Sequence, residues 1–217
     1  MEIIAQLIAL GVSVVIGFLV WQHYSEAKYP LSKRYSTFWP RFFEGTIDGI
    51  VLWPLQALVA LNAYLHGGAK FAVFFMILQQ AGYWTYSVYM HTKYGQTIGK
   101  MVCKVKILDA DTELPITFYQ AFSRDAVPIV LGLALLPSSI KAALATTVHS
   151  VPEWSWQDSL FSSLAGFWFL LEVITMLTND KRRALHDFIA GTVVVRTTAG
   201  EEPEVVGPLG GDVVAGT

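Results

Sequence analysis

Long apolar runs separated by short polar segments dominate the chain. A hydrocarbon core of about 30 Å needs about 20 mostly apolar residues at a helical rise of about 1.5 Å each. Five runs approach that length, at residues 3–21, 39–65, 71–90, from about 122 onward, and 159–178. The fourth run weakens at Pro137, after which residues 138–148 favour a short helix on the membrane surface. The pattern predicts an all-α integral membrane protein with about five transmembrane helices, of which residues 1–24 form an additional N-terminal one.

Lysine and arginine are distributed very unevenly over the segments between these runs. Thirteen of the 15 fall on one side of an alternating five-span arrangement, and Lys70 and Lys141 fall on the other. Cytoplasmic segments of membrane proteins are enriched in these two residues. The asymmetry predicts an outside N-terminus and a cytoplasmic C-terminus.

Two short segments on the basic side have the pattern of β-strands. Cys103, Val105 and Ile107 alternate with two lysines, and the β-branched residues 192–195 precede Arg196. Alternation with period two is typical of a half-buried strand. We expect residues 102–108 and 192–196 to form a small β pair beneath the helices that hides Val105 and Ile107. Residues 197–217 are acidic and rich in glycine, which predicts a disordered tail.

Composition narrows the class of protein. The sequence is 53% hydrophobic and only 15% charged, with mean hydropathy +0.46, which makes the lipid bilayer its main partner. A net charge of -2 gives no basic surface for nucleic acid. One cysteine and scattered histidines predict no metal site, and no catalytic motif or cofactor-binding motif is present. We therefore expect neither an enzyme nor a cofactor.

Charged and polar residues within the apolar runs are the candidate functional groups, because they are costly in lipid. Arg41, Glu44, Asp48 and Asn62 lie on one stripe of the second run. We predict a direct bond or a one-water bridge between Asp48 and a basic partner, either Arg41 or a residue of the C-terminal basic segment. The alternative is that Arg41 reaches the headgroups while Asp48 caps or pairs with another helix.

Three further positions carry open alternatives. Glu172 in the fifth run and Gln79 in the third could bind a proton or cation, or simply join helices. His186, beside Asp187 and close to Arg183, could relay protons or anchor a surface helix. The segment from Gly95 to Lys100 is similar to a phosphate-binding loop but is one residue short, so it does not predict nucleotide binding.

Together these residues resemble the RDD family of membrane proteins over residues 38–196. In that family an arginine begins a transmembrane helix and an aspartate lies inside it, which matches Arg41 and Asp48. The second family aspartate matches Asp187. The segment containing Gly95 and Lys100, together with Arg124 and Asp125, is also similar to the family's cytoplasmic segment. The resemblance implies a multi-pass protein of a bacterial inner membrane, and some members resemble sodium/proton exchangers.

Two functions follow from the sequence and the resemblance. The first is transport of protons, monovalent cations or another small solute through a cavity lined by Asp48, Asn62, Gln79 and Glu172, in a homo-oligomer. The alternative is a structural or accessory subunit of a larger membrane complex, held through the N-terminal helix. A third hypothesis is binding of lipid or a small ligand at Lys181, Arg182 and Arg183.

Overall fold

The computed structural model describes residues 2–65, 68–147 and 155–200 as a helical bundle with a small sheet at one end. The five long helices are α1 (Glu2–Ser25), α2 (Phe38–Tyr64), α3 (Ala69–Tyr94), α5 (Phe118–Thr147) and α6 (Trp156–Thr178). Two short helices, α4 (Ile98–Val102) and α7 (Leu185–Ala190), and strands β1 (Val105–Asp109) and β2 (Thr192–Arg196) lie between or after them. A single 3-10 turn covers Leu31–Lys33.

Four helices among the described residues are long and apolar enough to cross a membrane: α1, α2, α5 and α6. Their outward faces carry exposed large apolar residues, as lipid contact requires. Helix α3 has a similar length but contains Gln79, Gln80, Ser87 and His91. These helices indicate a membrane protein. Four of the five predicted spans are long and apolar enough to cross a membrane.

Helix α5 corrects one expectation. It continues through Pro128 and Pro137 to Thr147, so the expected separate surface helix after Pro137 is wrong for the described part of residues 138–148. Proline interrupts one backbone bond, but helices that cross membranes tolerate it where other donors serve the freed carbonyls. Near Pro137 the hydroxyl of Ser139 donates to the carbonyl of Leu135 at 3.1 Å, which adds a side-chain bond to the helix there.

The predicted β pair is confirmed. Strands β1 and β2 are antiparallel, with Val105 opposite Arg196 and Asp109 opposite Thr192. Val105 and Ile107 are fully buried against the ends of α1, α2 and α5. The first strand begins at Val105 instead of residue 102, because Val102 ends α4 and Lys104 turns the chain with φ of 56°.

Residues 197–200, the start of the predicted disordered tail, are hydrogen-bonded to the rest of the chain. Thr198 accepts a backbone hydrogen bond from Tyr29, and Gly200 donates one back to Tyr29. Residues 201–217 lie outside the described residues.

Candidate functional site

A carboxylate with no exposed surface lies where α2, α5, α7 and β2 meet. Asp187 accepts from Arg41 Nη1 at 2.6 Å through Oδ2 and from Arg124 Nη1 through Oδ1. The backbone N–H of Ala184 donates to Oδ2 at 2.9 Å, and the hydroxyl of Thr192 donates to Oδ1 at 3.1 Å. Each carboxylate oxygen therefore has one arginine and one neutral donor.

The two arginines set the charge state of Asp187. Burial by itself would raise the pKa of this carboxyl group, since desolvation disfavours the ion. The positive charges of Arg124 and Arg41 outweigh burial and hold the pKa of Asp187 well below its usual value. Asp187 is therefore ionised at physiological pH.

His186 connects this cluster to α6. Its Nε2 lies 3.0 Å from Nη2 of Arg41, and a guanidinium can only donate, so Nε2 is the acceptor. The proton then sits on Nδ1, which lies 2.7 Å from a carboxylate oxygen of Glu172. Burial, reinforced by the charge of Arg124, lowers the pKa of His186. Burial and the two arginines together outweigh the opposite effect of Asp187 and Glu172, and the imidazole is neutral.

Asp48 is satisfied in a different way, by neutral donors alone. Its Oδ1 accepts from the Tyr86 hydroxyl at 2.7 Å and from the backbone N–H of Gly99 at 2.8 Å. Its Oδ2 accepts from the hydroxyl of Thr97 at 2.7 Å. Thr97 also caps the start of α4. The carboxylate of Asp48 therefore fastens the α3–α4 connection to the middle of α2.

The α4 segment approaches α2 too closely for any side chain at residue 99. A Cβ on Gly99 would overlap the carbonyl oxygen of Glu44. One residue later, Lys100 Nζ lies 2.7 Å from Oε1 of Glu44, and both side chains are almost fully buried. The segment that is similar to a phosphate-binding loop thus closes around carboxylates of its own chain.

A cavity of about 220 Å³ lies between α2, α3 and α5, next to both clusters. Its charged walls come from Glu44, Asp48, Asp125, Arg41, Lys100 and Arg124. His91 also lines it, near Asp125, whose carboxylate accepts from the Ser87 hydroxyl at 2.6 Å. Two buried atoms of this wall, Oε2 of Glu44 and Nε2 of His91, have no hydrogen-bond partner among the described residues.

Comparison with known proteins identifies the chain. The sequence model of the RDD family matches residues 35–191, which is most of this chain. The chain belongs to the RDD family. It is also similar to an uncharacterized protein of Haemophilus influenzae, at 22% identity over 173 residues that cover 80% of this chain and 85% of that protein. No solved structure matches it.

The arginine and aspartates of this RDD protein form two separate clusters. Arg41 bonds Asp187, whereas Asp48 bonds only Tyr86, Thr97 and Gly99 among the described residues. The predicted direct bond between Asp48 and a basic partner is therefore wrong for the described residues, and the alternative of a one-water bridge stays a prediction. Arg41 lies two turns nearer the helix end, where the C-terminal segment supplies a fully buried carboxylate. Asp48 already has two donors from the α4 segment and one from α3.

The remaining predicted site residues are spread over the bundle. Glu172 contacts His186 but does not line the charged cavity, and neither do Asn62 and Gln79, which lie in the other halves of α2 and α3. The Nδ2 of Asn62 is buried without a partner. Arg183 donates to the carbonyls of Thr192 and Asp187, so its guanidinium fastens α7 to β2.

The contacts between several cavity residues could not be predicted from the sequence. His91 and Asp125 are 34 positions apart, and only the packing of α3 on α5 brings them together. Glu44 and Lys100 are likewise distant, although Glu44 was on the polar stripe of α2. Within the described part of the chain, no three His, Cys, Asp or Glu side chains cluster as a metal site would require.

Replacing Gly99 by alanine tests the close approach of α4 to α2. We expect Gly99→Ala to lower the free energy of unfolding by about 1–3 kcal/mol, since the new methyl meets backbone that cannot shift without breaking the bonds to Asp48. Thermal unfolding of the purified protein in detergent measures the change. Gly49→Ala is the matched control, because a Cβ there meets nothing within 4 Å. Equal melting temperatures for the two variants would contradict the prediction.

Acid sensitivity tests the neutral state of His186. Its pKa is lower in the folded protein than in the unfolded chain, so the unfolded chain takes up a proton first as the pH falls below about 6.5. Stability should therefore fall with pH from about 6.5 downward, and the depressed pKa of Asp187 adds a further loss below about 4. In melting curves between pH 7.5 and 5, His186→Gln should lose part of the slope, whereas a control at exposed His23 should not.

An unchanged slope in His186→Gln would show that His186 is not the group responsible. Glutamine suits the test because its carbonyl can accept from Arg41 while its amide donates to Glu172.

Proposed function

We propose that this protein carries protons or monovalent cations across the membrane through the charged cavity. The observation that supports the proposal is the pair of buried, unpartnered polar atoms, Oε2 of Glu44 and Nε2 of His91, on the wall of that cavity. An unsatisfied buried polar group costs about 1–3 kcal/mol. Ionisable residues at such positions in membrane helices mark ion and proton pathways.

The walls of the cavity divide into a rigid part and an available part. Asp187 and Asp48 are fully occupied by donors, so they hold the helices in place. Glu44 has one oxygen on Lys100 and one without a partner among the described residues. In His91 the ring nitrogen Nε2 likewise has no partner in that part of the chain, while Nδ1 lies 3.7 Å from an oxygen of Asp125. Glu44 and His91 are therefore the groups that exchange a proton or contact a hydrated cation.

The proposal includes five spans with an outside N-terminus and a cytoplasmic C-terminus. Helix α3 packs against both α2 and α5, and two of its polar residues, Ser87 and His91, line the cavity, which favours a place for α3 inside the bundle. The short elements α4, β1, α7 and β2 gather at one end with most of the basic residues. At the opposite end, Lys141 lies 3.5 Å from Asp158. The membrane proposed is a bacterial inner membrane.

An accessory subunit is the second candidate. Helix α1 lies outside the stretch that matches the RDD family, and α6 exposes Phe167 and Phe169. Both surfaces could contact a partner protein, while a transporter of this size would use them to form a homo-oligomer. Purification in mild detergent separates the two, since fixed stoichiometric partners favour the subunit and a pure homo-oligomer favours transport.

Accessibility of the termini tests the orientation. A protease-sensitive tag after Thr217 should be protected in intact spheroplasts and cleaved in inverted vesicles, and a tag before Met1 should behave oppositely, because the basic end faces the cytoplasm. Tags on both termini that are cleaved from the same side would mean an even number of spans.

Ion flux in reconstituted liposomes tests transport. With a pH-sensitive dye inside and a sodium, potassium or pH gradient across the bilayer, the wild-type protein should give flux above empty liposomes. Glu44→Gln should reduce that flux to the leak, because the amide keeps the bond to Lys100 but cannot take up a proton or balance a cation. His91→Gln should do the same without touching the Glu44–Lys100 pair.

The matched control is Asp180→Asn, which removes a carboxylate from an exposed position just after α6. It should leave flux unchanged. Flux at the wild-type rate in Glu44→Gln and His91→Gln would exclude this cavity as the path. A wild-type protein that gives only leak would reject transport and leave the accessory subunit as the better candidate.

A further inference from the structure

A second cavity, of about 450 Å³, lies between the last turns of α1 and the first turns of α2. It is separate from the charged cavity and differs from it in chemistry. Most of its wall is apolar or aromatic and is formed by Ile16, Leu19, Val20, Trp39 and Phe43. Its one permanently charged residue is Arg196, at the end of β2. A pocket of this size and composition suits a ligand that has an apolar chain and a small polar group.

Arg196 is a buried cation without an anion. Its side chain stacks on Tyr29 at 3.8 Å, and Nε donates to the carbonyl of Ser36 at 2.8 Å. The residue is only 7% exposed, and Nη1 is buried with no hydrogen-bond partner in the described part of the chain. Arg41 and Arg124, which are comparably buried, both bond Asp187, whereas Arg196 makes no salt bridge with a described carboxylate. A buried charge normally requires such a partner.

We infer that this cavity binds an anionic phospholipid, with the phosphate on Arg196 and one acyl chain against α1. A planar guanidinium matches the oxygens of a phosphate group, and Nη1 is the free donor. A free anion would leave the apolar wall of the cavity without a contact, whereas an acyl chain would cover it. A lipid is therefore favoured as the source of the phosphate. The exposed ring of Trp39 lies at the rim, as expected for a residue at the boundary between headgroups and chains. Basic pockets beside membrane helices recognise headgroups in this way.

Native mass spectrometry of the full chain in detergent tests the inference. The protein is mixed with phosphatidylglycerol or with phosphatidylcholine of identical acyl chains, and the retained lipid is counted. The wild-type protein should retain one phosphatidylglycerol with about tenfold preference, the ratio that one charge-assisted hydrogen bond provides. Arg196→Gln should lose the preference.

A second variant leaves the arginine intact, in case Arg196→Gln disturbs the sheet. Leu19→Trp fills the apolar wall and should abolish retention of phosphatidylglycerol. The control is Val14→Trp, which places the same ring on an exposed part of α1 that does not line this cavity and should retain the lipid like the wild type.

Three results would overturn the inference. Equal retention of the two lipids by the wild-type protein would show that no anion is selected. Loss of the bound lipid on addition of millimolar inorganic phosphate would identify a site for a free anion. A preference that appears only after Glu201, Glu202 and Glu204 are replaced by glutamine would mean that the acidic tail fills the site. None of these results bears on ion flux, which concerns other residues.

Discussion

The structure depends on one buried carboxylate shared by two arginines. Asp187 has no exposed surface, and Arg41 and Arg124 reach it from helices that are far apart in the sequence. Such a cluster is stable only when complete, because removing one charge strands the others in a region of low dielectric, at a cost of about 3–5 kcal/mol. The bonds from Ala184 and Thr192 complete it from the backbone and from β2. The cluster thereby fixes α2, α5, α7 and the sheet relative to one another, and it forms one wall of the charged cavity.

The two family aspartates are both buried carboxylates, but different kinds of donor stabilise them. Asp187 is held ionised by positive charge, whereas Asp48 is surrounded by hydroxyl and backbone donors that carry no charge. Because Asp48 needs no cation, the basic residues around it remain free for other acids, and Lys100 bonds Glu44. This division leaves one buried oxygen of Glu44 and one buried nitrogen of His91 without a hydrogen-bond partner among the described residues, and the proposed transport rests on these two atoms. Among the described residues, Arg196 is a buried guanidinium without a carboxylate partner, which is why we propose that an anionic ligand binds it.

Sequence patterns predicted the structure correctly where a long apolar run or a strand-like alternation dominated a segment. Apolar length placed the long helices, and alternation placed Val105 and Ile107 inside the β pair. The same reasoning failed at Pro137, because a proline removes a single backbone hydrogen bond and the helix continues on both sides of it. It also failed for Asp48. Spacing along one helix showed that Arg41 and Asp48 share a face, but it contained no information about donors that α4 and α3 bring to that face.

The sequence by itself determined that this is a helical membrane protein with its basic residues concentrated in the segments on one side of the apolar runs. It also identified the polar residues that would be costly to expose to lipid. These properties depend on composition and local periodicity, so they survive without knowledge of the fold. Only the tertiary structure decided which buried charges meet. Arg41 and Asp187 are separated by 146 positions, and Glu44 and Lys100 lie on helices that Gly99 alone allows to approach. Pairing depends on distances of about 3 Å, and those are fixed by helix packing that no pattern along the chain records.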